Sequence, residues 1–297
     1  MVYTSTDQID FEPADCPALP RPGRVLLASP DHYDVRYVIN PHMEGNVGEV
    51  DTALAAEQWR ALRTAYETLG LTVNTIEGVE DLPDMVFTAN QTLPFYDPDG
   101  GARGVVPARM RPPERRDEVA HVEKFFRTLG YDVRRLPATP AITFEGAGDA
   151  LWHPGRYLLW GGYGFRTDPG AYRLLADLLG ARVVLVELRD PDFYHLDTCL
   201  AALDETTALV YPGALAPEGR ALVARLFDRV VEAPEDEARH GLACNAHCPD
   251  GQHVLLPAGC PGTAERLREA GFLPVEIEVS EFVKAGGAVA CMKQAFW

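Results

Sequence analysis

The chain has 297 residues with 27 basic and 44 acidic side chains, which gives a formal net charge of −17 and a pI near 4.8. This acidic balance argues against a nucleic-acid partner, because neutralising phosphate groups requires a basic surface. Hydrophobic residues make up 46% of the chain and charged residues 24%, which is typical of a globular protein and excludes wholesale disorder.

The sequence contains no apolar segment of the ~18 residues that a membrane helix requires. Its first fifteen residues carry four acidic side chains where a secretion signal would have Lys or Arg. The six cysteines are too few and too dispersed for a disulfide framework. We therefore expect a cytoplasmic protein with reduced thiols and no membrane partner.

An amphipathic helix followed by a short strand recurs five times along the chain. In the first repeat Leu54, Trp59, Leu62, Tyr66 and Leu69 share one helical face. The predicted helices and strands are, in chain order, residues 51–69 and 71–76, 117–129 and 131–136, 174–179 and 183–188, 222–227 and 230–231, and 263–271 and 275–279.

Local signals mark the ends of these elements. Glycine, which readily adopts the left-handed conformation after a helix, follows four of the five helices. Thr263 is the predicted N-cap of the last helix. Turn residues at 97–100, 204–205 and 249–251 predict hairpins between the repeats.

A polar or glycine-rich cluster follows each helix at a nearly constant distance. Equal offsets in equal units indicate equivalent positions, so units arranged around a pseudo-symmetry axis would bring the clusters to one central cavity. We expect a single closed domain over residues 1–297, with an ordinary open α/β sheet as the alternative. The residues found 14 or 15 positions after a helix-ending glycine are Asp84, Glu145, His195 and Gly286, and in the fourth unit Asn245 lies 15 positions after Val230.

These clusters together supply a nucleophile and acid/base groups. Cys291 follows a Gly-Gly pair that permits close backbone approach. His195 stands out among the histidines because Asp197 lies two residues further on, on the same face of a predicted strand. Acidic residues in an enclosed site favour a cationic substrate, and a guanidinium fits because carboxylates bind it bidentately.

Structural explanations compete with these functional ones. An isolated Cys291 would more often fill a core than attack a substrate. Arg109, Arg115 and Arg116 are most simply interpreted as a solvated patch, although a substrate carboxylate would need an arginine such as Arg109 or Arg166. The cysteines at 244 and 248 lack the second ligand pair of a zinc site, so we expect no metal.

At residues 82–90, 144–149, 194–197 and 284–291 the sequence resembles the guanidino-group-modifying superfamily of pentein fold. This superfamily includes arginine deiminases, dimethylarginine dimethylaminohydrolases, cyanobacterial-type arginine dihydrolases and amidinotransferases. The resemblance covers most of the chain, from about Arg24 to Cys291. It implies an α/β fold in which five ββαβ-like repeats form a five-bladed propeller around the active site.

The resemblance also implies residue roles. Cys291 would be the nucleophile, His195 the general acid/base and Glu145 the carboxylate that orients it, with a covalent thiouronium intermediate and no cofactor. The implied substrate-binding residues are Asp84, Asp197 and Asn90 for the guanidino group, Arg166 and Arg109 for the α-carboxylate, and Asn40 in the N-terminal substrate segment.

Asn90 departs from two branches of the superfamily, because arginine deiminases and dimethylarginine hydrolases have an acidic residue there. An asparagine both donates and accepts hydrogen bonds, so it suits a neutral ureido group as well as a cation. Asn90 and Asn40 resemble the dihydrolase branch. We therefore expect a hydrolase that converts arginine to ornithine, ammonia and carbon dioxide.

Three alternatives stay open. A dimethylarginine dimethylaminohydrolase would release citrulline and dimethylamine, and an amidinotransferase would use an amine where the hydrolase uses water. A catalytically silent, ribosome-associated relative is disfavoured by the acidic charge and by the joint presence of thiol, imidazole and carboxylates. The expected partner is a small guanidino compound; a homodimer is neither indicated nor excluded.

Overall fold

The computed structural model describes residues 1–138 and 142–297, which form a mixed α/β fold. The described strands are β1 (Val2–Tyr3), β2 (Arg24–Ala28), β3 (Thr72–Ile76), β4 (Thr92–Tyr96), β5 (Arg103–Pro107), β6 (Asp132–Val133), β7 (Ala150–Trp152), β8 (Leu158–Tyr163), β9 (Arg182–Glu187), β10 (Leu200–Ala202), β11 (Thr207–Val210), β12 (Arg229–Glu232), β13 (His253–Pro257), β14 (Leu273–Ile277) and β15 (Gln294–Phe296). The described helices are α1 (Thr52–Thr68), α2 (Glu118–Thr128), α3 (Gly146–Asp149), α4 (Pro169–Leu179), α5 (Pro217–Leu226), α6 (Glu235–Gly241), α7 (Pro261–Glu269) and α8 (Ser280–Val283).

The described strands form five separate sheets. Each sheet contains two adjacent parallel strands with one of the longer helices between them in the chain. The repeated helix-then-strand unit predicted from the sequence is therefore confirmed. The parallel pairs and their helices are β2 and β3 with α1, β5 and β6 with α2, β8 and β9 with α4, β11 and β12 with α5, and β13 and β14 with α7.

Antiparallel partners extend four of these pairs: β15 beside β2, β4 beside β5, β7 beside β8, and β10 beside β11. The turns predicted at 97–100 and 204–205 join β4 to β5 and β10 to β11. The turn at 249–251 precedes β13, where His247 and Leu255 form an isolated antiparallel bridge. Because β15 pairs with β2, the last strand of the chain completes a sheet that begins near its N-terminus.

Helix α1 shows why these segments are helical. The side chain of Asp51 accepts hydrogen bonds from two backbone N–H groups of the first turn. Trp59, Leu62 and Tyr66 are buried on one face, as their spacing predicts. Leu54 differs from the prediction, because it is 38% exposed in the first turn, beyond the packed part of the helix.

Helix α7 begins earlier than predicted. It starts at Pro261, so Thr263 lies within the first turn and is not the N-cap. Proline is favoured at this first position because its missing N–H has no partner there anyway. The Thr263 hydroxyl instead donates to Glu237 at 2.7 Å and connects α7 to α6.

One apolar cluster links α1 to the part of the chain that contains Cys291. Trp59 and Leu62 of α1 belong to the same buried cluster as Phe282 of α8 and Met292. This packing holds the loop after α8 against the body of the protein, because a close-packed interior has little room for displacement.

Truncating Leu62 should destabilise the protein much more than truncating Leu54 of the same helix. Leu62 is fully buried, so Leu62→Ala removes packed methyl groups and should lower the free energy of unfolding by about 2–5 kcal/mol. Leu54→Ala, at an exposed position, should change it by no more than about 0.5 kcal/mol. Urea unfolding monitored by circular dichroism measures both values, and equal losses would contradict the described packing of α1.

Candidate active site

The buried amide of Asn245 fixes the loop that contains Cys291. Its Oδ1 accepts hydrogen bonds from the backbone N–H groups of Ala288 and Cys291, at 3.0 and 3.1 Å. Its Nδ2 donates to the carbonyl oxygen of Asp197 at 3.0 Å and lies 3.1 Å from Cys291 Sγ. Both ends of the amide are thus satisfied, and they tie the thiol to the segment that contains Asp197.

Cys291 and Asp197 are in direct contact. The distance from Sγ to Asp197 Oδ2 is 3.3 Å, and Cys291 is only 2% exposed. Burial raises the pKa of Cys291 well above its usual range, and the negative charge of Asp197 raises it further. Burial also raises the pKa of Asp197, to about 7. The resting thiol is therefore neutral, and a nearby cation is needed to favour the thiolate.

Imidazole, carboxylate and guanidinium groups meet at His195. Its Nε2 lies 2.8 Å from Glu145 Oε2, and Arg166 Nη1 donates to the same oxygen at 3.1 Å. Burial raises the pKa of Glu145, but the hydrogen bond with His195 and the charge of Arg166 outweigh burial and lower this pKa to about 2. The ionised carboxylate can therefore hold the imidazole in one orientation.

The local geometry around His195 differs from the sequence prediction. His195 and Asp197 do not share a strand face, because Leu196–Thr198 is a single 3-10 turn. This turn is nevertheless what brings Asp197 to the thiol while His195 faces Glu145. Cys291 thus contacts Asp197, which is two residues from His195 in the chain, while His195 itself contacts Glu145.

Asp84 is a buried carboxylate with one oxygen left unpaired. It is 1% exposed, and the Tyr37 hydroxyl donates to its Oδ2 at 2.9 Å. Its Oδ1 has no hydrogen-bond partner among the described residues. Burial raises the pKa of Asp84, whereas the charge of Arg115 lowers it. An unpaired buried oxygen of this kind is a binding position for a donor group on a ligand.

Arg115 is buried, which corrects the expectation that it belongs to a solvated patch. It is 4% exposed, and its Nη2 forms an ion pair with Glu118 at 2.8 Å. Its Nη1 donates to Asn90 Oδ1 at 2.8 Å, so the Asn90 amide nitrogen is directed to the imidazole, 3.4 Å from His195 Nδ1. Glu118 was missed in the sequence, although its i,i+3 spacing from Arg115 is typical of an ion pair.

Two predicted substrate-binding residues, Arg166 and Asn40, lie at the entrance to the space between these side chains. Arg166 Nη2 donates to the carbonyl oxygen of Ile39 at 2.8 Å, and its guanidinium lies 4.7 Å from the centre of the Tyr194 ring. Asn40 accepts hydrogen bonds from the backbone of a 3-10 turn and donates to the carbonyl oxygen of Ala285 at 3.0 Å.

Arg109 lies outside this cluster, contrary to expectation. Its guanidinium donates to the carbonyl oxygens of Leu136 and Pro137, at 2.6 and 2.7 Å, and these bonds direct the side chain away from the site. Arg111, two residues further on, lines the entrance instead, where it also pairs with Asp168 at 2.8 Å. Sequence alone could not separate these arginines, because the choice depends on tertiary contacts.

A narrow cavity of about 10 Å³ lies between the clustered side chains and opens into a mouth of about 510 Å³. We call the inner space the front cavity; Asp84, Asn90, Arg115 and Cys291 line it. The residues shared by the front cavity and the mouth are Ile39, Asn40, Arg166 and Tyr194.

Over residues 1–138 and 142–297, no group of three or more His, Cys, Asp or Glu side chains is arranged to hold a metal ion. The same described residues include no helix that is both long and apolar enough to span a bilayer.

A sequence profile described as "N,N dimethylarginine dimethylhydrolase, eukaryotic" matches residues 40–296. The N(G),N(G)-dimethylarginine dimethylaminohydrolase of Mycobacterium tuberculosis is 41% identical over 92% of this chain and 85% of its own. The chain belongs to the dimethylarginine dimethylaminohydrolase family. The resemblance inferred from residues 82–90, 144–149, 194–197 and 284–291 is thereby confirmed.

Solved structures of this family and of arginine dihydrolases are similar to the structure of this chain. The substrate-bound N-terminal domain of ArgZ, a cyanobacterial arginine dihydrolase, superposes with a TM-score of 0.85 at 36% identity, covering 92% of this chain and 97% of that domain. A dimethylarginine dimethylaminohydrolase carrying an S-methyl-L-thiocitrulline adduct gives 0.77 at 26% identity, covering 93% and 100%. The bifunctional ArgZ of Synechocystis is 37% identical over 91% of this chain, which spans 37% of that longer protein.

The rate of Cys291 alkylation in the free protein should still be rising with pH at 8.5 and above. An ordinary thiol has a pKa of about 8.5. The raised pKa of Cys291 keeps the thiol neutral at lower pH, and only the thiolate attacks iodoacetamide. Peptide mapping by mass spectrometry separates Cys291 from the five other cysteines. A rate that levels off below pH ~7 would show a thiolate already present in the empty site.

Proposed function

We propose that this protein is a hydrolase that cleaves carbon–nitrogen bonds in the guanidino group of arginine or a close arginine derivative. The preferred reaction is that of an arginine dihydrolase, which yields ornithine, ammonia and carbon dioxide. The observation that carries the proposal is one cavity lined by the Cys291 thiol and by Asp84, whose Oδ1 is unpaired. The imidazole–carboxylate pair of His195 and Glu145 lies beside it, in contact with the lining residues Asn90 and Arg166.

A guanidinium cation matches the carboxylates at the front cavity in charge. Asp84 offers its unpaired Oδ1, and Asp197 places a second carboxylate beside Cys291. A planar guanidinium can donate to both carboxylates, and its positive charge favours the thiolate of Cys291. Arg166 at the entrance is the proposed partner of the substrate α-carboxylate, because an arginine binds carboxylates bidentately.

The catalytic sequence follows from these positions. The Cys291 thiolate forms a bond to the guanidinium carbon, and a terminal carbon–nitrogen bond breaks as His195 protonates the departing ammonia. Water then adds to the thiouronium carbon and gives a proton to His195, and the carbon–sulfur bond breaks to restore the thiolate. The net reaction of this cycle converts arginine and water to citrulline and ammonia.

A second cycle on the ureido group completes the dihydrolase reaction. Cys291 displaces the remaining terminal nitrogen as ammonia, and water releases a carbamate, which decomposes to ornithine and carbon dioxide. Asn90 supports this step, because its Oδ1 is occupied by Arg115 and one hydrogen of its NH₂ group, besides the one directed to His195, can donate to a neutral carbonyl oxygen. An acidic side chain at this position would offer only acceptors.

Dimethylarginine hydrolysis is the second candidate, favoured by the 41% identity to a relative that bears this name. It uses the same thiol, imidazole and carboxylates and differs in the leaving group, which would be dimethylamine.

We further propose that residues 1–297 form one domain in which the five sheets are blades of a ring around the front cavity. The recurring strand–helix–strand order and the pairing of β15 with β2, which links the two ends of the chain, support this arrangement. The six cysteines are unpaired thiols, which supports the proposed cytoplasmic location.

Replacing the nucleophile tests the proposed chemistry. Cys291→Ser should lower kcat on arginine by at least about 10⁴-fold, since an alcohol is far less ionised than a thiol. The thermal unfolding midpoint should change little, which separates lost chemistry from lost folding. Wild-type products from arginine, citrulline and dimethylarginine are then identified by mass spectrometry. Exclusive release of dimethylamine would favour the second candidate, and activity retained by Cys291→Ser would exclude the mechanism.

Asn90→Asp should uncouple the two hydrolytic cycles. The added carboxylate repels a neutral carbonyl oxygen but still accepts from a guanidinium, so turnover of citrulline should fall about 100-fold or more relative to turnover of arginine. Citrulline should then accumulate as the main product in a time course followed by chromatography. The first step on the same variant is the internal control; equal losses in both steps would contradict the assigned role of Asn90.

A further inference from the structure

A second cavity lies beside the catalytic residues and is distinct from the front cavity. Its volume is about 150 Å³. By the same measure a single water needs only ~10–15 Å³, so this cavity has room for several waters. We call it the rear cavity; Asp197, Ala147, Ala290 and Lys293 are among its lining residues, and it extends to the exposed residues Pro20 and Arg21.

The rear cavity lies against the chain segment that carries Cys291. Ala290 lines the rear cavity and Cys291, its neighbour in the chain, lines the front cavity. Asp197 lines the rear cavity, yet its Oδ2 is 3.3 Å from Cys291 Sγ. The other oxygen, Oδ1, is buried and has no hydrogen-bond partner among the described residues. A small donor that enters from the rear would satisfy this oxygen next to the reacting sulfur.

The charges of the rear cavity differ from those of the front. Lys293 and Arg21 line it, and Asp197 is the one acidic side chain among its described lining residues. The side chain of Lys293 forms no ion pair with a described residue, although the charges of Asp197 and Cys291 act on it. These cations repel a guanidinium, so the rear cavity favours small neutral molecules over the substrate.

The proposed reaction requires water to enter and ammonia to leave while the substrate occupies the front cavity. The front cavity, at about 10 Å³, has space for about one water even when empty. Once the substrate fills it, the leaving nitrogen and the incoming water must exchange at a carbon atom that is covalently bound to Cys291. A dihydrolase must make this exchange twice before its amino-acid product leaves.

We propose that the rear cavity is the passage through which water reaches the Cys291-bound intermediate and ammonia leaves. This inference rests on the proposed function. The oxygen of the entering water becomes the carbonyl oxygen of the ureido product, and the carbon–sulfur bond breaks as in the catalytic sequence above. Ammonia moves outward past Lys293 as neutral NH₃. Asp197 Oδ1 holds the entering water at the boundary between the two cavities.

Filling the rear cavity without touching the catalytic residues tests this proposal. Ala202 on β10 and Leu151 on β7 both line the cavity and are partly exposed. Ala202→Phe and Leu151→Trp add bulk from two different strands, with Ala202→Ser and Leu151→Met as controls that add little volume. Thermal unfolding establishes that each variant is folded. The readouts are steady-state kinetics on arginine and the fraction of protein that carries a covalent adduct on Cys291, measured by intact-protein mass spectrometry after acid quenching.

The bulky variants should lower kcat about tenfold and lower KM with it, because hydrolysis of the intermediate becomes rate-limiting. The adduct fraction should rise, while the two control variants resemble the wild type. An unchanged kcat in both folded, bulky variants would overturn the rear passage and leave the proposed function intact. A lower kcat without adduct accumulation would overturn it too, since water entry would then not be limiting. A wild-type protein that releases no ammonia from any guanidino compound would overturn the proposed function and this inference with it.

Discussion

The site depends on one buried amide. Asn245 joins the backbone of the Cys291 loop to the carbonyl of Asp197, and so connects the last part of the chain to the turn that follows His195. Without this amide, several buried polar groups would lose their partners at once. The apolar contacts of Phe282 and Met292 with α1 support the loop from the other side. Cys291, the proposed nucleophile, is therefore positioned by both polar and apolar contacts.

Burial of charge determines what the site can bind. Asp84, Asp197 and Glu118 all have raised pKa values because they are removed from water, and Arg115 compensates only part of this charge. A cationic ligand supplies the missing positive charge, and the same charge favours ionisation of the thiol. In the proposed mechanism, binding of the guanidinium cation and activation of Cys291 for the first cycle are therefore one electrostatic event.

Periodicity made the repeats and much of the site predictable. The nearly constant offset within each repeat selected Asp84, Glu145, His195 and Asn245, and all four are buried among the side chains of the candidate site. The arginines were not predictable in this way. Whether a guanidinium reaches a cavity, as that of Arg115 does, or bonds to nearby carbonyls, as that of Arg109 does, depends on partners far away in the sequence.

The protonated resting state of Cys291 also bears on the lifetime of the enzyme in a cell. Thiolates attack peroxide and disulfides, so a sulfur held as a neutral thiol that is only 2% exposed reacts poorly with these oxidants. The sulfur becomes vulnerable only during the interval in which a bound cation has ionised it, and the ligand then covers it. In an idle molecule this sulfur is therefore protected from oxidants.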